Sequence, residues 1–269
     1  MSDMTDLLGW CSVLSQRGDG HPFVVDAHGQ RSLQFDGVTI QSQMALDDPN
    51  ALALDYTRLI MGFLLLHPAP LHIAIIGLGG GSLVKYCLDT LPETILTAIE
   101  ISPEVIALRD TFGIPPDGPR LQVLCCDGAD YVSDPGESPD VLIVDGFDVA
   151  GMPRQLCSAD FYDHCYAMLA EGGMMVANLW SGDARYGLYA SRIRDSFDDR
   201  VVVVSADEGT NRIVFAAKDR RFPPGRAQLQ ERARRLADDH TIDLVSLAQR
   251  IQHRLDRRRK LGGEDWPAD

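Results

Sequence analysis

Long apolar runs are missing from this 269-residue chain. The greasiest stretch, "LIMGFLLL" at 59–66, is eight residues long and ends at His67-Pro68. That is far short of the roughly 20 apolar residues that cross a bilayer, so it reads as the buried face of a helix and no membrane partner is expected. The opening "MSDMTDLLGW" has no basic region followed by an apolar stretch; no secretory leader is read there, and a cytoplasmic location is expected. Paired cysteines are also missing. Cys11, Cys87, Cys125, Cys126, Cys157 and Cys165 show no CxxC spacing, which points to reduced, mostly buried thiols, with Cys125 and Cys126 read as two core residues at a strand end. The seven histidines form no HExxH pair and no cluster with cysteine, so no metal is expected. Positive charge is scarce: 25 Lys and Arg face 39 Asp and Glu, a net charge of −14. Residues 218–269 run the other way, with 13 Lys and Arg against 9 Asp and Glu. A body this acidic argues against a nucleic-acid partner and attracts a cationic small molecule. The rest of the composition is ordinary, 45% hydrophobic and 24% charged, as in a chain that builds a real core.

Three textures follow one another. Residues 22–45 alternate apolar and polar, broken by "AHGQ" and "FDG", which predicts short strands joined by tight turns within a small β domain over 1–50. "PNALALDYTRLIMGFLLL" carries helical periodicity. From residue 72, strands and helices alternate: "HIAIIGLG", "GSLVKYCLDTL", "TILTAIEI", "PEVIALRDTF", "LQVLCCDGA", "DVLIVDGFD", "SADFYDHCYAMLAEGG" and "MMVANLW". Continuous apolar strands separated by helices mark a parallel sheet covered on both faces. "RVVVVSA" and "RIVFAAKD" are separated by the turn "EGTN", too short for anything but an antiparallel pair. The expected fold is therefore α/β, a doubly wound, seven-stranded, mostly parallel sheet over 51–220. Residues 221–269 read as C-terminal helices and a tail, with Leu244, Leu247, Ile251 and Leu255 on one stripe.

In such sheets ligands sit beyond the carboxyl ends of the strands. The turn after the first strand is Gly77-Leu78-Gly79-Gly80-Gly81-Ser82, a G-x-G-x-x pattern that lets a ligand lie against bare backbone. No lysine follows, so it is no P-loop, and Val84 stands where a GxSxG motif needs glycine. Ser82 reads as a helix cap rather than a nucleophile. Glu100 ends the second strand 23 residues after Gly77, where two acceptor oxygens can take both hydroxyls of a ribose. Asp127-Gly128 ends the third strand, placed to accept from an adenine amino group. NAD enzymes and S-adenosylmethionine enzymes both fit this far. The reversed last strand, "LAEGGMMVANLW" and a loop with no phosphate-binding helix end favour the second. Phe147, Tyr162 and Trp180 are read as pocket walls or as core.

At this point the chain resembles the spermidine synthase family of polyamine aminopropyltransferases, from about residue 22 to 218. The resemblance rests on "LQFDGVTIQS", a helix with Tyr56, "IIGLGGGSL", "AIEI", "CDGAD" and "VDGFDVAGMPRQLCSADFY". It implies a Rossmann-like methyltransferase fold behind the small β domain, a homodimer, and decarboxylated or intact S-adenosylmethionine as co-substrate with no metal. It implies nucleoside contacts from Gly77, Gly79, Gly80, Gly81, Glu100, Ile101, Asp127, Gly128 and Gln41. Asp145 and Asp148, spaced D-x-x-D, and Tyr56 would bind the acceptor amine, Asp145 taking its proton. Two departures stand out. Gly80 replaces an acid that grips the aminopropyl amine in the family, and Thr57-Arg58 follow Tyr56, Arg58 being expected to repel a dication. Three readings therefore stay open: an aminopropyltransferase, a methyltransferase using intact S-adenosylmethionine with another nucleophile as acceptor, and a non-catalytic nucleoside-binding module.

Overall fold

Two sheets carry the chain. The computed structural model describes residues 20–36, 39–134, 136–148, 151–207 and 210–260. Cys11, the first part of the expected β domain and the tail beyond 260 lie outside the described residues. The small sheet holds β1 (Phe23–Ala27), β2 (Gln30–Gln34) and β3 (Ile40–Ala45) in that order. His28 and Gly29, at φ 52° and 74°, form the two-residue turn between β1 and β2, whose positive dihedrals match the twist of a hairpin.

The large sheet holds seven strands in the order β6-β5-β4-β7-β8-β10-β9. They are β4 (His72–Ile76), β5 (Ile95–Glu100), β6 (Leu121–Cys125), β7 (Val141–Val144), β8 (Met174–Trp180), β9 (Val201–Ser205) and β10 (Asn211–Ala217). Only β10 runs against its neighbours, pairing antiparallel with both β8 and β9. The apolar runs serve two cores at once because side chains alternate across the sheet. Ile73, Ile75, Val141, Ile143 and Phe215 face one core; Ala74, Ile76, Leu142, Val144 and Ala216 face the other.

Helices cover both faces: α1 (Asp55–Ile60), α2 (Phe63–Leu66), α3 (Ser82–Thr90), α4 (Pro103–Ala107), α5 (Gly128–Ser133), α6 (Ala159–Met168), α7 (Tyr186–Ser196), α8 (Arg226–Leu236) and α9 (Leu244–Lys260). The single helix expected over 49–66 is two short ones. Arg58 donates to the carbonyls of Leu52 and Ala53 at 2.7 and 2.9 Å, which holds that stretch out of the helix. The break at Gly62 is a packing contact: a Cβ there would lie 3.0 Å from both Phe215 and Leu247. Ser82 opens α3 without capping it; its hydroxyl donates instead to the Gln43 carbonyl at 3.2 Å, tying α3 to the small sheet. Lys85 adds a second tie. Its buried ammonium donates to Phe112 O at 2.8 Å and touches Met44 Sδ, and burial lowers its pKa to about 8.

The arginine-rich C-terminus has a structural task. β9 is an edge strand, and its outward carbonyls would be left to water or to another strand. Arg250, Arg254 and Arg258 of α9 donate to the carbonyls of Ser205, Val203 and Val201 respectively. The spacings agree: four helical residues rise about 6 Å, and two strand residues about 6.6 Å. No described helix is long and apolar enough to cross a membrane. Replacing Arg254 by Met keeps the stem and removes the donors. A hydrogen bond from a charged group contributes about 1.5–3 kcal/mol, so Arg254→Met should lower stability by about 1–2 kcal/mol in urea denaturation. An unchanged midpoint would mean that water serves the edge equally well.

Candidate active site

The sheet order reverses between β4 and β7. Successive crossovers leave β4 in opposite directions, which opens a crevice at the carboxyl ends of these two strands. Gly77 follows β4 and Asp145 follows β7. Gly77 has φ +99°, and a Cβ on it would lie 2.4 Å from the Asp145 carbonyl oxygen. Its N–H donates to Ile99 O, and the Asp145 N–H donates to Ile76 O, each at 2.8 Å. The two residues are thus pressed backbone to backbone on the floor of a cleft of about 640 Å³.

One end of the cleft suits a nucleoside. Glu100 is held by two backbone donors, Leu78 N–H at 3.0 Å and Ser102 N–H at 2.9 Å, one on each carboxylate oxygen. Each oxygen keeps a free lone pair, and the residue lines the cleft. Asp127 caps α5 by accepting from Ala129 N–H at 2.8 Å and takes Gln155 Nε2 at 3.2 Å. Ile101, Pro153 and Leu156 supply apolar walls. The glycines after the two aspartates make room for that wall. A Cβ on Gly128 would lie 2.5 Å from Ile76, and one on Gly146 would lie 2.8 Å from Leu156. Cys126 lines the same end, half-buried, and Cys125 is exposed. Neither is the core thiol expected, because β6 is the edge strand on this side of the sheet.

The other end centres on Asp145. Its Oδ1 accepts from Asn178 Nδ2 at 2.8 Å, and Asn178 Oδ1 accepts from Asn211 Nδ2 at 3.0 Å. The Tyr56 hydroxyl faces the same carboxylate. Burial raises the Asp145 pKa to about 7, while the Asn178 and Tyr56 contacts pull it down. Burial pushes the Tyr56 phenol well above its ordinary value, so it stays protonated and donates. Phe147, Asp148, Trp180 and Thr210 complete this end. Asp148 is exposed, and its N–H donates to Gly151 O at 2.9 Å across a turn; residues 149 and 150 lie outside the described residues. Of the three candidate aromatics, Phe147 and Trp180 line the cleft, whereas Tyr162 is fully buried in the core.

The structure sorts the remaining sequence candidates. Gln41 of β3, Gly77, Gly79, Glu100, Ile101, Asp127 and Gly128 all line the cleft. Gly80 and Gly81 are not among its lining residues. A Cβ on Gly80 would lie 2.8 Å from Ser42 Oγ and 2.9 Å from the Phe112 ring; one on Gly81 would lie 2.4 Å from Ile114. These two glycines let the loop pack against the small sheet and the 112–114 turn. Arg58 does not line the cleft either: its guanidinium is turned to backbone carbonyls and to Asp55 at 3.7 Å. Asn178 and Asn211 were not singled out in the sequence. The signal was there: Asn178 is the one strongly polar residue inside the apolar strand "MMVANLW", and a polar group at 1% exposure must have a partner.

Placing an acid at position 80 should therefore fail. Gly80→Asp forces Ser42 and Phe112 apart and should cost about 1–3 kcal/mol, as overpacking does, without tightening binding of a cationic ligand. A stable variant with at least tenfold tighter binding, measured by calorimetry, would show that the loop has room after all.

The spermine/spermidine synthase domain model matches residues 54–181. A polyamine aminopropyltransferase of Chromobacterium violaceum is 42% identical over 187 residues, covering 69% of this chain and 72% of the relative. One of Neisseria meningitidis serogroup A is 37% identical over 215 residues, covering 79% and 82%. Among solved structures, spermidine synthase from Thermotoga maritima superposes with a TM-score of 0.66 over 90% of this chain and 88% of that one, at 20% identity, which shows the shared fold. By the extent and level of these likenesses, the chain belongs to the spermine/spermidine synthase family of polyamine aminopropyltransferases.

Proposed function

We propose that this protein transfers the aminopropyl group of decarboxylated S-adenosylmethionine to an amine, in the cleft between Gly77 and Asp145. The carrying observation is the charge of the cleft. Glu100, Asp127, Asp145 and Asp148 line it, and no Lys, Arg or His is among the described lining residues. Such a wall suits a sulfonium donor and an amine acceptor, both cationic. It disfavours intact S-adenosylmethionine, whose carboxylate would enter with no cation to meet it, so the methyltransferase alternative is not favoured. The curated relatives named above are aminopropyltransferases, in keeping with this reading. A cytoplasmic location and a homodimer belong to the same proposal. The five described cysteines are unpaired, which supports the first; the family resemblance supports the second.

In this reading each carboxylate has one task. Glu100 takes the ribose hydroxyls, and Asp127 the adenine amino group, with Ile101 and Leu156 on the ring faces. The acceptor amine reaches the cleft protonated, with a pKa of about 10 taking lysine as the guide. Asp145 Oδ2 accepts that proton, directly or through water. The freed lone pair forms the N–C bond as the C–S bond breaks. The sulfonium becomes a neutral thioether, and methylthioadenosine leaves. Tyr56 donates to Asp145 or to the amine, and Asp148 holds the acceptor's remaining charge. Much of the acceleration comes from holding the two reactants in line.

A carboxylate with a pKa near 7 accepts protons only above that pH. Transfer, measured as kcat/KM by methylthioadenosine release with putrescine as acceptor, should rise through about pH 7. Asp145→Asn should lower it by about 10²–10⁴. Stability should respond in the opposite sense. With its pKa raised on folding, Asp145 holds more protons folded than unfolded between about pH 4 and 7, so its contribution to stability falls as pH rises through that window. Asp145→Asn, neutral and of the same shape, should be at least as stable as the parent at pH 8. Calorimetry should show decarboxylated S-adenosylmethionine binding at least tenfold tighter than the intact form; tighter binding of the intact form would overturn the proposal.

A further inference from the structure

Asp145 has two oxygens, and the cleft does not treat them alike. Oδ1 is taken by Asn178 Nδ2 at 2.8 Å, and Asn178, on β8, is 1% exposed. A primary amide has a donating end and an accepting end. Asn211 Nδ2 occupies the accepting end of Asn178 at 3.0 Å. Asn211 stands near the start of β10, two residues before the partner of Asn178 in the antiparallel ladder. The order of dipoles is therefore set from β10 through β8 to the carboxylate. While Asn211 donates to Asn178 Oδ1, Asn178 can only donate to Asp145. We infer that Asn211 is a positioning residue that acts through Asn178 to fix which oxygen of Asp145 receives the substrate proton, leaving Oδ2 as the acceptor.

The physical consequences follow from the chain of amides. A donor aimed at Oδ1 stabilises the ionised carboxylate more than the neutral acid. A second amide behind it polarises that bond and strengthens it. Without Asn211, Asn178 is free to turn over and offer its oxygen to Asp145. That arrangement favours the protonated acid, because only an O–H can satisfy the amide oxygen. The proton then sits on Oδ1, beside the buried Asn178, rather than on Oδ2. Other titratable groups on the cleft are Tyr56 from α1, Asp148 from the same loop, Glu100 at the end of β5, and Cys126 and Asp127 after β6; among them Tyr56 interacts with Asp145.

This inference rests on Asp145 as the proton acceptor, and the experiment separates the two. Asn211→Ala, Asn211→Asp and Asp145→Asn are compared with the parent protein across pH 5.5–9.5, using decarboxylated S-adenosylmethionine and putrescine. Asn211→Ala removes the donor without adding charge. It should move the acid limb of kcat/KM upward by at least about half a pH unit, giving a loss of severalfold at pH 6.5 that shrinks above pH 8.5. Asn211→Asp keeps the size but presents an acceptor, which forces the amide over, and should move the limb further; it also serves if the alanine variant fails to fold. A loss by the same factor at every pH, as a purely structural role predicts, overturns the inference, and so does an unmoved limb in both variants. If Asp145→Asn keeps its activity at every pH, the reading of Asp145 itself falls and takes the inference with it. Loss of activity in Asp145→Asn with an unmoved limb in the Asn211 variants removes the inference alone.

Discussion

The cleft depends on half-burying the Asp145 carboxylate at its floor without giving it a cation. A buried carboxylate is costly unless something compensates it. A lysine or arginine would do so at the expense of function, since a paired acid is a poor base and a local cation repels a charged amine. The fold uses neutral donors instead, the Asn178 amide and the Tyr56 phenol. They stabilise the ion only in part, and its pKa settles near neutrality. The same constraint explains where the cations went. Arg58, Arg120 and Arg232 donate to the carbonyls of residues 52–53, 88 and 91, and 65–66. Guanidinium groups terminate helices and cover backbone away from the cleft, while carboxylates gather in it.

Close packing of backbone is the second feature that sets the site. Gly77 allows the first strand of the sheet to meet the fourth across the switch point, and Gly128 and Gly146 allow Ile76 and Leu156 to fill the floor beneath the nucleoside end. At Gly77 the neighbour is backbone and excludes any side chain, while a Cβ on Gly128 or Gly146 would crowd Ile76 or Leu156, so the cleft's shape comes from missing Cβ atoms as much as from present groups. Gly80 and Gly81 belong to the same economy of space but point the other way, toward Ser42, Phe112 and Ile114. The small sheet closes the cleft because the loop has nothing in the way.

The fold and the acids that line the cleft were legible in the sequence because their signals are periodic or positional. Strands buried on both faces are apolar, and Glu100 ends one such run while Asp145 follows another; Asp127 stands two residues past β6, a partly exposed edge strand. Direction was not legible. Arg58 lies two residues after Tyr56, and that proximity suggested a shared cleft; two helical steps, about 200°, turn its guanidinium to Leu52 and Ala53 instead. Gly80 sat in register with a ligand-gripping position, yet its Cα faces protein. α5 went unread because six residues, Gly128–Ser133, carry too little periodicity, although Asp127 is its cap. Asn178 and Asn211 lie 33 residues apart, and only the antiparallel return of β10 beside β8 brings them together.

The arginine ladder on β9 also bears on how the chain is made. The carbonyls of Val201, Val203 and Ser205 are covered by side chains that come 45 to 57 residues later. A ribosome releases the sheet before it releases its cover. During that interval the carbonyls of the last strand have no cover from the chain's own arginines. The basic C-terminal helix is thus a late-arriving seal, and synthesis that stops before α9 yields a sheet already built but still adhesive along one side.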